Sequence, residues 1–163
     1  MGKVLHQRIR QSKFESVQQE ALLNLLVAAG HVKGWLERRY AEHQITSGQY
    51  NVLRILKGAA PSGYCRNDII SRMLEPAPDV TRLIDRLVQA GLVRREQSQE
   101  DKRLSMTFIT ETGLQVLDDL RPEVDQASQL IQGVLTDAEC QVFSELCEKI
   151  YAPLLPDLCE GAS

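Results

Sequence analysis

The sequence predicts a mainly α-helical protein that carries one small β-hairpin. Apolar residues recur at intervals of three and four along most of the chain. Helix-start signals stand at Thr46, Thr110 and Thr136, and a short alternating stretch near residues 92–109 flanks a polar loop. With 163 residues, 43% hydrophobic and 25% charged, the chain has the apolar content for a real core, which argues against wholesale disorder.

The first element is a long amphipathic helix from Phe14 to Tyr40, with Val17, Leu22, Leu25, Val32, Leu36 and Tyr40 on its apolar stripe. Thr46 or Ser47 caps a second helix through Tyr50, Leu53 and Leu56, ending at Gly58. Pro61-Ser62-Gly63 reads as a turn. A short helix follows from about Arg66 to Leu74, and the EPAP at 75–78 breaks it, because two prolines cannot continue its hydrogen bonding. The next helix spans about Pro78 to Ala90 and stops at Gly91, with Val80, Leu83, Ile84 and Leu87 as its apolar stripe. Leu92–Arg95 and Ser105–Ile109 are the two strands of the hairpin, around a polar loop at 96–104. In the second strand Met106 and Phe108 share one face, and Ser105, Thr107 and Ile109 the other. Thr110 then caps a helix through Leu114, Leu117, Leu120, Val124 and Ile131, with a kink expected at Pro122. Finally Thr136 and Glu139 form a capping box that opens a helix through Val142, Phe143, Leu146 and Ile150, limited by Pro153 and Pro156.

Charge is unevenly placed. Residues 1–60 carry nine Lys/Arg against four Asp/Glu, residues 61–110 eight against seven, and residues 111–163 two against eleven. The formal net charge of −3 therefore hides a neutral-to-basic first two thirds, and a polyanion responds to the local surface. The N-terminus is basic but lacks the apolar stretch of a secretory signal, and no apolar run approaches a membrane span, so a cytoplasmic protein is expected. Cys65, Cys140, Cys147 and Cys159 lack metal-site or disulfide-framework spacing, and His6, His31 and His43 lack a ligand pattern, so no metal or other cofactor is expected. No nucleophile elbow, P-loop or HExxH motif supports an enzyme.

The order helix, helix, turn, helix, hairpin is that of a winged helix-turn-helix, in which one helix enters the major groove and the hairpin loop reaches a neighbouring groove or phosphate. The stretch VTRLIDRLVQAGLVRR (80–95), followed by Asp101-x-Arg103 and Thr110-x-x-Gly113, resembles the MarR family of bacterial transcription regulators. The resemblance is dense over residues 80–113 and looser over 44–79.

It implies three regions: an N-terminal dimerisation helix region at 1–45, the winged helix-turn-helix at 46–110, and C-terminal dimerisation helices at 111–163. It implies a sequence-specific regulator of double-stranded DNA, most often a repressor, acting as a homodimer on a pseudo-palindromic site. Two recognition helices about 34–36 Å apart would match successive major grooves. The DNA-contact candidates are Arg66 on the preceding helix, Asp79, Thr81, Arg82 and Arg86 on the recognition helix, and Asp101, Lys102 and Arg103 in the wing. Arg82 and Arg86 lie one turn apart on the non-apolar face, where a guanidinium can donate in pairs to guanine or phosphate. Arg103 is expected at the wing tip in the minor groove. Asp101 is expected to hold that tip by pairing with a nearby arginine, and Lys102, where many relatives have arginine, to give a phosphate contact at most. Asp79 can accept from a cytosine amino group or cap its helix.

A small aromatic effector between the dimerisation helices and the winged region is also implied, held by unknown residues. It is expected to act by fixing the two lobes at a spacing that no longer fits DNA. Two other readings stay open. One is a redox-sensing regulator using Cys65, whose neighbour Arg66 and helix-start position favour a thiolate. The other is a winged-helix module that binds a protein partner instead of DNA. Trp35 and Tyr40 read as core or dimer packing.

Overall fold

The structure, a computed structural model, describes residues 2–11, 13–99 and 101–155. The chain forms two compact units, one ending at Glu123 and one beginning at Val124. Its helices are α1 (Lys3–Ile9), α2 (Val17–Glu42), α3 (Ser47–Ala59), α4 (Arg66–Ile70), α5 (Val80–Gln89), α6 (Glu111–Asp119), α7 (Arg121–Gln132) and α8 (Asp137–Tyr151). The strands are β1 (Tyr64–Cys65), β2 (Val93–Gln97) and β3 (Ser105–Ile109).

Side-chain caps set most helix starts. Ser16 accepts from the Gln19 N–H to open α2, and Thr46 with Gln49 closes a capping box at α3. Asp79 accepts from the Arg82 N–H, so α5 begins at Val80 rather than at Pro78. Helix α4 is shorter than its sequence pattern. Its Asp68 carbonyl accepts from both Ser71 Oγ (3.0 Å) and Arg72 Nη1 (2.8 Å), and the Leu74 N–H goes to Asn51 Oδ1 of α3 at 2.8 Å. The chain after Ile70 is thus tied down as a loop.

The core of the first unit is built from Val52, Leu53 and Leu56 of α3, Ile69 of α4, Ile84 and Leu87 of α5, and Leu117 and Leu120 around the end of α6. Burying these aliphatic side chains contributes about 1.5–3 kcal/mol each before conformational entropy is subtracted. The wing is not a two-stranded ribbon. Tyr64 and Cys65 pair antiparallel with Thr107 and Met106, giving a three-stranded sheet in the order β1-β3-β2. This places β3 at the centre, and Thr107, polar but central, is buried.

The helix after the wing does not kink at Pro122; it ends. Leu120 is the last residue of α6's hydrogen-bonded turn, and a new helix starts at Arg121. A proline in the first turn of a helix loses no hydrogen bond, since the N–H it lacks would have been unpaired. Within the second unit, α8 opens on the Thr136–Glu139 capping box and closes in a 3-10 turn, Ala152–Leu154, that contains Pro153. Val142, Phe143, Leu146 and Ile150 of α8 are each about half exposed. Pro156 and Cys159 lie outside the described residues. Among the described residues no helix is long and apolar enough to cross a membrane.

Candidate nucleic-acid interface

Helix α5 buries Val80, Ile84 and Leu87 and turns Thr81, Arg82 and Arg86 to solvent. Its exposed side has two edges with different company. Along one edge, Arg66 Nη1 of α4 donates to Thr81 Oγ1 at 3.3 Å, and Arg95 of β2 pairs with Asp85 at 2.6 Å. These contacts fasten the helix before it and the wing after it to α5, fixing the orientation of the three relative to one another. Along the other edge stand Arg82 and Arg86. Neither guanidinium has an ion pair or side-chain hydrogen bond among the described residues.

The same division runs through the wing. Arg94 pairs with Glu96 and lies over the Phe108 ring, 4.4 Å from its centroid. The cations of Lys102 and Arg103, in the loop between β2 and β3, have no such partner among the described residues. That loop is shaped by backbone contacts. Ser98 N–H donates to Leu104 O at 2.9 Å, Leu104 N–H to Asp101 O at 2.9 Å, and Gln97 Nε2 to Lys102 O at 2.5 Å. Asp101 does not hold the tip through an arginine side chain, as its sequence position suggested. Its Oδ1 accepts the backbone N–H of Arg103 at 2.9 Å. Asp79 is likewise occupied as a helix cap. An aspartate two residues before an arginine has its neighbour's amide within closer reach than its guanidinium.

Behind the hairpin, the Thr110 hydroxyl donates to Gly91 O at 2.8 Å and accepts from the Gly113 N–H at 3.1 Å. Gly91 has the positive φ, 71°, of a left-handed helix terminus. The end of α5 and the start of α6 are therefore knotted at the base of the wing.

Cys65 is half-buried at the start of α4. Its thiol donates to Asp68 Oδ2 at 3.0 Å, and that bond, ahead of Arg72, holds the Asp68 carboxyl below its usual range.

Helices α2, α3 and α5 and the loop before α5 line an open cavity of about 640 Å³. Leu36, Tyr40, Tyr50 and Leu83 contribute apolar wall, and Tyr40 and Tyr50 stack with ring centroids 4.5 Å apart. Burial, with the neighbouring Tyr50 adding to it, pushes the Tyr40 phenol up to about 12, so it stays a neutral hydrogen-bonding group. Pro76 and Pro78 line the cavity too, so the EPAP turn is part of its wall. Lys33 of α2 and Glu75 of the loop, joined at 2.5 Å, bridge two of its sides. Arg82 and Arg86 also line it. Sequence reasoning found neither the Asp85–Arg95 pair nor the Lys33–Glu75 pair, whose members are distant in the chain and carry no local signal.

The MarR family model matches residues 45–105. A crystal structure of a MarR transcription factor from Planctomyces limnophilus is 35% identical, covers 83% of this chain and 98% of that one, and superposes with a TM-score of 0.64. The HTH-type transcriptional regulator MhqR of Bacillus subtilis is 26% identical over 119 residues, which is 71% of this chain and 78% of MhqR. The fold is also that of S. aureus MepR in a DNA complex, at 19% identity, 86% and 99% coverage and a TM-score of 0.73. The chain belongs to the MarR family and is a DNA-binding transcription regulator.

Proposed function

We propose that the protein acts as a homodimeric repressor on a pseudo-palindromic operator and is released when a small aromatic molecule occupies the cavity. The observation that carries this reading is the sorting of the basic residues. Arg94 and Arg95 are ion-paired and Arg66 donates to Thr81, whereas Arg82, Arg86 and Arg103 have no ion pair or side-chain hydrogen bond among the described residues and are available to an external anion. Internal pairing gives the reading head its shape, and unpaired guanidiniums give it affinity, because phosphate and guanine accept from them in pairs. Self-association is supported by the half-exposed apolar stripe of α8 and by Leu22 and Leu26 of α2, both more than half exposed. The cavity has the size and apolar wall of a small-molecule site.

The test is titration of the protein against its own upstream DNA and a scrambled duplex at several salt concentrations, for wild type and Arg103→Ala. Tight binding to one duplex only is expected, with a steep salt slope that becomes shallower by about one phosphate per substituted arginine. Equal, weak binding to both duplexes would overturn the reading.

A further inference from the structure

Arg82 and Arg86 belong at once to the exposed face of the recognition helix and to the wall of the cavity. The other charged groups on that wall are already committed. Lys33 and Glu75 hold each other, and Asp79 Oδ1 accepts the Arg82 N–H at 2.9 Å. Among the described residues the two guanidiniums are the charged groups on that wall without an ion pair or hydrogen bond, beside a mostly apolar space, a combination complementary to an organic anion with an aromatic body. A guanidinium that turns inward to such an anion cannot also reach a base edge or phosphate in the groove.

We infer that a small aromatic anion in this cavity and DNA compete directly for Arg82 and Arg86 of the same protomer. Release from DNA then needs no change in the spacing of two lobes. The inference rests on the reading of α5 as the DNA-contact helix and of the cavity as the effector site.

Direct competition and coupling through dimer geometry leave different signatures. Under competition the apparent Kd for DNA rises in proportion to effector concentration without limit. A shift between two geometries levels off once the effector saturates its site, at the finite coupling factor between them. The experiment uses 8-anilinonaphthalene-1-sulfonate as the anionic probe and uncharged N-phenyl-1-naphthylamine as its neutral counterpart. Probe fluorescence reports occupancy, and anisotropy of a labelled upstream duplex reports DNA binding. Arg82→Ala and Arg86→Ala are each expected to weaken the sulfonate about tenfold, the loss of one charge-assisted contact, with the neutral amine unaffected. In wild type the duplex Kd is expected to climb with sulfonate concentration without a plateau. Ala29→Trp, which fills the cavity from an exposed position of α2, is expected to bind DNA as wild type does and to be blind to the probe.

A plateau in duplex Kd would overturn the proposal in favour of lobe spacing. Sulfonate binding that ignores both arginines, or persists in Ala29→Trp, would overturn it by placing the anion elsewhere. If probe-free wild type binds no duplex, the DNA reading itself fails and the competition with it. The arginine dependence of the sulfonate, read without DNA, would show that failure to be separate from the anion site.

Discussion

Replacing Gly113 with alanine is expected to destabilise the protein, although the position is helical and alanine is the better helix former. Gly113 is the third residue of α6, where that helix crosses the chain leaving α5. A Cβ there would lie 2.2 Å from the Leu92 carbonyl oxygen and 2.8 Å from Ile109 Cγ1, whereas ordinary contact begins at 3.4 Å. One backbone must retreat by about 1 Å, the shortfall against Leu92. Leu92 O is not free to move, since it accepts the Thr110 N–H at 3.1 Å, and Thr110 in turn holds Gly91 O and the Gly113 N–H. Overpacking of this kind costs about 1–3 kcal/mol, and a stretched backbone bond adds about 1 kcal/mol. The gain in helix propensity returns about 1 kcal/mol. The net loss is roughly 2 kcal/mol, or a fall in Tm of about 4–8 °C for a chain of this size. Gly58, in α3, is the control, because a Cβ there meets nothing within 4 Å. Gly58→Ala should be neutral or stabilising by up to about 1 kcal/mol. Thermal and urea unfolding followed by circular dichroism, at one protein concentration, compares the three proteins. If Gly113→Ala is as stable as wild type, the crossing is looser than its distances imply and the reasoning fails.

Other expectations follow from the same contacts. Asp101→Ala should weaken DNA binding about fivefold by freeing the Arg103 amide, while Asp101→Asn, which keeps an acceptor, should not weaken it; anisotropy titration at fixed salt separates them. The carboxyls of Asp68, Asp118 and Glu139 are held below their ordinary values of 3.8, 3.8 and 4.5, chiefly by hydrogen bonds from Cys65, Lys57 and the Thr136 backbone respectively. Depressed carboxyls stabilise the fold above their unfolded pKa and lose that contribution as pH falls through the folded one. The urea midpoint should thus be flat from pH 7 to about 5 and drop below about 4.5, less steeply in Asp118→Asn. One tyrosine should ionise only near pH 12 in an ultraviolet absorbance titration, and Tyr40→Phe should remove that step. Leu146→Asp on α8 should shift sedimentation toward the monomer without unfolding the chain, since Leu146 is half exposed.

What was legible in the sequence was whatever is encoded locally. Thr46, Thr110 and Thr136 cap helices where their spacing predicts, and the apolar stripe Val80, Ile84, Leu87 faces the core as a 3.6-residue period requires. The rest depended on partners far along the chain. Two residues, Tyr64 and Cys65, have no strand pattern of their own and become β1 only because Thr107 and Met106 offer a ladder. Helix α1 is too short to show a period, and the break at Leu120 turned on whether Pro122 sat inside a helix or at its start. The basic candidates were recognisable as a set. That Arg66 would be tied to Thr81, and that Arg95, outside that set, would pair with Asp85, was decided across the fold.

The sheet order has one more consequence. With β3 in the middle, β2 is an edge strand of the sheet. A bare strand edge is the place where one polypeptide can recruit another into an extended sheet. Arg94, Arg95 and Glu96 stand on this edge, exposed, so a second strand approaching it would have to bury three charges. The charges that brace the wing thereby oppose edge-to-edge polymerisation in a crowded solution of the protein.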